Sequence, residues 1–196
     1  VMNRRVLFLM LLLSVSFIEL NAQKIYLDRI ETDGRHQIMT KAEDFIIDGD
    51  KFSFGMKVIE SSFNKVWLLL ISSYHYISNS TEVLLKLGND DIIYLPVNNV
   101  NVGEVTLPGY GVTVGSITQI SQPKKVNYYS SVYELCEDDM NKIDTYGIKK
   151  VRISTGVKYR DKTYSNNLLG KYITKSRKII QDRLDNPLKS KSLFDD

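Results

Sequence analysis

The sequence predicts an α+β fold: a mainly antiparallel sheet, sandwich-like or curved, with a short helix and a C-terminal amphipathic helix packed on it. Three observations carry this. Alternation with a period of two dominates residues 25–120; Phe52, Phe54, Met56 and Val58 alternate with Lys51, Ser53, Gly55 and Lys57, which marks a strand with one buried face. The period then lengthens, and Leu168, Leu169, Tyr172, Ile173, Ser176, Ile179, Ile180 and Leu184 recur at helical spacing. Strands first and helices afterwards indicate segregated rather than alternating elements.

Taken in order, Ile25 to Ile30 reads as a first strand that ends at the Asp33-Gly34 turn. Phe45-Ile46-Ile47 leads into Asp48-Gly49-Asp50, a hairpin-type turn. Val66 to Tyr76 is apolar on both faces, as a central strand is. Glu82 to Leu87, Gly88-Asn89-Asp90 and Ile92 to Val97 form another hairpin, and Val102 to Ile120 continues as a meander broken at Pro108-Gly109. Glu137 to Thr145 is a short helix with Cys136 at its N-cap and Glu137, Asp138 and Asp139 at the positive end of its dipole. Leu135 and Met140 are placed as a staple pair. Gly147 is expected to end the helix in the left-handed conformation. Ile148, Val151 and Ile153 fit a strand with room for a kink, Lys150 and Arg152 pointing away. On the last helix Lys171, Lys175, Lys178 and Asp182 face water, and Asn186-Pro187 stops it.

The chain of 196 residues begins with a distinctive segment. Arg4 and Arg5 precede the apolar run Val6 to Leu13, then Ser14 to Ile18, a short polar stretch and Ala22. A positive region, an apolar region and a small residue at the cut describe a secretory signal. The apolar run is shorter than the roughly 20 residues a bilayer span needs. Residues 1–22 are therefore expected to be a signal peptide, 23–186 a single globular domain and 187–196 a flexible tail. Exported, periplasmic or cell-surface localisation follows, with no transmembrane segment in the mature chain. Cys136 is the one cysteine, so no intramolecular disulfide forms.

Charge is segregated. Residues 147–196 carry 13 Lys and Arg against 5 Asp and Glu, and residues 23–146 carry 11 against 17. A basic face can meet anionic lipid or an acidic glycan. The simpler reading is that the two regions attract each other within one fold. Export and the absence of a recognised motif argue against a nucleic-acid partner.

Catalytic patterns are weak. Cys136 is followed by three acids, which raise a thiol pKa, so a cap is its simpler role. His36 and His75 are the only histidines and lack metal-ligand spacing. No Gly-x-Ser-x-Gly elbow occurs. Asp48-Gly49-Asp50, Asp90-Asp91 and Glu43-Asp44 are explained by turn chemistry. No metal and no cofactor is expected. Tyr128, Tyr129, Tyr133, Tyr159 and Tyr164 are numerous enough to suggest aromatic contacts to a sugar.

The stretch Tyr133-Glu134-Leu135-Cys136-Glu137-Asp138-Asp139, followed by Tyr146-Gly147-Ile148-Lys149-Lys150-Val151-Arg152-Ile153, resembles the C-terminal part of small exported bacterial proteins of unknown function. So does the hairpin Val83 to Ile93. The resemblance implies a cell-envelope protein and supplies no catalytic residues. The expected function is a non-enzymatic exported domain that binds a ligand or protein partner, with Tyr110, Tyr128, Tyr129, Lys149 and Arg152 as candidate contact residues. The alternative is a secreted hydrolase using dispersed carboxylates or Ser/His.

Overall fold

The computed structural model describes residues 25–187, apart from 79, 108–110, 115–116, 121 and 156–157. The expected signal, Tyr110 and the tail beyond Pro187 lie outside the described residues. The elements are β1 (Ile25–Ile30), β2 (His36–Thr40), β3 (Glu43–Ile47), β4 (Asp50–Glu60), β5 (Lys65–Ser73), β6 (Glu82–Leu87), β7 (Ile92–Leu107), β8 (Gly111–Val114), β9 (Ile117–Ile120), β10 (Lys124–Leu135), α1 (Glu137–Tyr146), β11 (Ile148–Ser154), β12 (Tyr159–Thr163) and α2 (Leu168–Asp185). The α+β class is as expected.

Ten strands form one antiparallel sheet in the order β1-β2-β4-β5-β10-β7-β6-β11-β12, with β3 also on β4, and β8 pairs β9 separately. The sheet turns a corner inside β7. Ile92 to Pro96 pair with β6, whereas Val97 to Leu107 pair with β10. Pro96 has no N–H to donate, and the β10 register shifts between Val132 and Tyr133, so the ladder breaks where the strand bends. Curvature brings the far strand β12 back toward β3. No backbone hydrogen bond joins these two among the described residues. Side chains in and just beyond these strands span the seam: the rings of Phe45 in β3 and Tyr164 after β12 lie 6.4 Å apart, and Arg160 of β12 reaches Asp48 in the turn at 3.2 Å and Asp50 of β4 at 2.7 Å.

The inner face carries the core. Phe52, Phe54, Met56 and Val58 of β4 meet Trp67, Leu69 and Ile71 of β5, Val83, Leu85 and Leu87 of β6, and Ile173 and Ile180 of α2 in a single buried cluster. Burying such side chains contributes about 1.5–3 kcal/mol each before entropy is counted. The helical stripe is confirmed with one exception, since Leu168 in the first turn is exposed.

Cys136 caps α1 as expected. Its sulfur accepts the Asp139 N–H at 3.4 Å, while the Asp139 carboxylate accepts the Cys136 N–H at 3.3 Å. Leu135 and Met140 are both buried. Gly147 departs from expectation: its φ is +67° but its ψ is 176°, an extended mirror-image conformation rather than a left-handed helical one. The cause is Asn167, whose Oδ1 accepts the Ile148 N–H at 2.6 Å. A Cβ on Gly147 would lie 2.3 Å from that side chain, and one on Gly170 2.0 Å. The two glycines let one asparagine tie the end of α1 to the starts of β11 and α2.

Three strands are not apparent in the sequence pattern: β2, β10 and β12. All three are polar on at least one face. In β10 the alternation is carried by Ser130, Val132 and Glu134 against Ser131, Tyr133 and Leu135.

Candidate functional site

The site begins at an irregularity in β2 and β3. Both run antiparallel to β4 along the same side of it. Met39 lies opposite Lys57, yet Glu43 lies opposite Phe54. Four steps on one strand match three on the other, so Lys41 and Ala42 contain a bulge of one residue. Thr40 repairs the ladder there, its hydroxyl accepting the Met56 N–H at 3.2 Å. From the inner face, the Tyr172 hydroxyl of α2 donates to the Lys41 carbonyl at 3.2 Å. The helix thereby fixes the bulge backbone while the Lys41 side chain stays exposed.

On the outer face the bulge opens a cleft. Its volume is 490 Å³, and Met39, Ala42, Gly55, Leu70, Ile25 and Tyr128 are among its walls. This falls in the range of about 300–1,000 Å³ typical of small-molecule sites. Gly55 makes the depth. A Cβ at this position would meet Leu70 at 3.6 Å and Ala42 at 3.8 Å, ordinary contacts, so methyl fits and anything longer projects into the cleft. Polar groups at the wall are few. Tyr128 donates its hydroxyl to Ser72 at 2.5 Å, and Tyr26, Thr40, Lys41 and Ser130 supply the others among the described residues.

The expected contact residues do not converge. Tyr128 lines this cleft, with Tyr74 edge-on against it at 5.5 Å. Tyr129, its neighbour in β10, projects from the opposite face of the pleat and meets Tyr76 at 5.4 Å. Lys149 binds Asp90 at 3.2 Å. Arg152 makes two bonds to Asp161, both 2.7 Å, and lies over the Tyr159 ring at 5.3 Å. Arg152 also borders a smaller hollow of 170 Å³ with Leu84, Ile92 and Lys150, at the other end of the sheet. The Arg152 guanidinium, with Lys150 beside it, lowers the Asp161 pKa to about 2. These cations are neutralised in place.

The tyrosines expected to meet a sugar divide. Tyr159 is exposed, but Tyr133 and Tyr164 are buried, and burial pushes both phenols up to about 12. The cysteine is not activated: the Asp139 carboxylate bonded to its thiol pushes the pKa up. His36 bonds Asp28 at 2.7 Å and His75 bonds Asp50 at 3.0 Å, each through Nε2. The second oxygen of each aspartate meets an arginine, Arg183 or Arg160. Neither histidine lines a cleft described here. Among the described residues no group of three His, Cys, Asp or Glu is placed to hold a metal ion, and no helix is long and apolar enough to cross a membrane.

Gly55, Met39 and Ala42 escape the sequence reading because they come from two separate stretches, brought together by the register of β4 against β2 and β3. The usable signal was small: a glycine on the polar side of an otherwise regular strand. Comparison with protein families, with curated proteins and with solved structures finds no match. The resemblance to exported envelope proteins rests on its own motifs.

Proposed function

We propose that this chain is an exported, non-enzymatic binding domain of the bacterial envelope, and that it holds a small apolar ligand in the outer-face cleft. One observation carries the reading: a carbon-walled cleft of 490 Å³ whose depth depends on Gly55. A sheet's outer face gains nothing for folding from such a hollow, because apolar walls left in water forgo burial. The N-terminal pattern of Arg4, Arg5 and the run from Val6 supports export. Small apolar ligands suit the site better than a sugar, since its walls are mostly carbon.

The test is calorimetric titration of the protein with 1-dodecanol, below the alcohol's solubility limit. Binding to the wild type and a loss of at least tenfold in Gly55→Val is expected, because the valine side chain occupies the floor. Far-UV circular dichroism and the melting temperature report whether the variant folds. Equal binding by a folded Gly55→Val, or no binding by the wild type, overturns the cleft as the site.

A further inference from the structure

Resting on the cleft reading, we infer that the ligand is a single-chain anionic amphiphile, with its apolar chain along Gly55 and Leu70 and its head at Lys41. The argument is one of donors and charge. Among the described residues no carboxylate lines the cleft, Lys41 is its one cation, and Lys41 has no acidic partner. An ammonium has donors and no acceptor. The Ser130 hydroxyl is also unengaged among the described residues, whereas Ser72 and Tyr128 satisfy each other. The Lys41 ammonium therefore seeks an acceptor that carries negative charge, and the Ser130 hydroxyl can donate to the same group.

A second cation reinforces the sign. Lys57 lies directly across the ladder from Met39 and two residues beyond Gly55, on the same outer face. No carboxylate pairs with it among the described residues. Burial first, and then the charges of Arg29 and Arg35, hold its pKa below the ordinary lysine value, with Glu31 offsetting part of this. Arg29 and Arg35 themselves are bound to Glu31 at 2.6 Å and Asp33 at 2.7 Å. This side of the sheet thus presents uncompensated positive charge beside an apolar hollow. Glu43 is the nearest acid along the chain; it shares with Lys41, Tyr172 and Ser176 a second cavity of 320 Å³ behind the bulge, but among the described residues it forms no ion pair with Lys41 and is not part of the cleft's lining.

Carboxylate and phosphate heads share the required chemistry, and titration separates them. Dodecanoate, dodecyl phosphate, 1-dodecanol and dodecyltrimethylammonium are titrated below their aggregation concentrations at low ionic strength. At least one anion is expected to bind about fivefold tighter than the alcohol, the scale of an exposed ion pair. The cation is expected to bind weakest. Lys41→Gln should bring the anions down to the alcohol's affinity, and 1 M salt should do the same in the wild type. Anions no tighter than the alcohol, or a preference that survives Lys41→Gln, overturn the anionic head while leaving the cleft in place. Failure of every probe overturns the cleft itself.

Discussion

Two lysine-bearing regions of this sheet behave in opposite ways. At the β11–β12 end, Lys149 meets Asp90, and Lys150 and Arg152 share Asp161. At the β2–β3 bulge, Lys41 and Lys57 have no acidic partner among the described residues. The first region belongs to the strongly basic end of the chain and the second to its acidic part. Density of charge in sequence is thus a poor guide to available charge in the fold. The basic end is matched by carboxylates from elsewhere: Arg160 by Asp48 and Asp50, Arg183 by Asp28, Arg177 by Glu137 and Asp144. Segregation along the chain becomes attraction across it. What is left over after pairing is the informative quantity.

The comparison can be broken most forcefully at Arg183. It lies with Asp28 and His36 in a mostly buried group, with side chains exposed by 17, 21 and 18 %. Arg183→Leu should destabilise by about 1–2 kcal/mol in urea denaturation at neutral pH, because it leaves the Asp28 carboxylate with one of its two partners, His36. A loss below about 0.5 kcal/mol would show that pairing at the basic end is incidental.

Acid titration sharpens the same point more gently. Asp161 has a pKa depressed from 3.8 to about 2, so its ionised form stabilises the native state fully above pH 3.8. That contribution is lost as pH falls from 3.8 toward 2. Solvent screening of a side chain one-third exposed keeps it to about 1 kcal/mol. Asp161→Asn should be less stable than wild type at pH 6 by up to that amount, and the two denaturation curves should converge near pH 2.

The smallest stability effect separates the regions most clearly. Lys149→Gln and Lys41→Gln should each alter stability by no more than about 0.5 kcal/mol, as exposed substitutions do. Only the latter should change dodecanoate affinity. An equal effect of Lys149→Gln on binding would place the anion at the wrong end of the sheet.

Much of the fold was readable where the signal was local. The Asp48-Gly49 turn has φ of +50° and +82°, the pair that a two-residue hairpin demands, and those residue types announce it. The Cys136 cap and the α2 stripe are likewise written in adjacent or periodic residues. β12 was not readable, because Tyr159, Arg160, Asp161, Lys162 and Thr163 owe their strand state to pairing with β11 rather than to an apolar face. Of the cleft, Tyr128 alone was anticipated. The rest depends on a one-residue register shift between β2 and β3, and register is a property of two strands at once. The pairing of Lys149 was hidden for a related reason: Asp90 lies 59 residues away, and no local pattern shows that they meet.

The meeting of β3 and β12 has a mechanical consequence. Elsewhere around the sheet, parting two neighbours means shearing several peptide bridges together. At this seam, among the described residues, an edge-on ring contact and one guanidinium do the holding, and they can let go in succession. Heat or an applied pull should therefore open the wall along this line before any other, like a stave lifting where the hoop is thinnest.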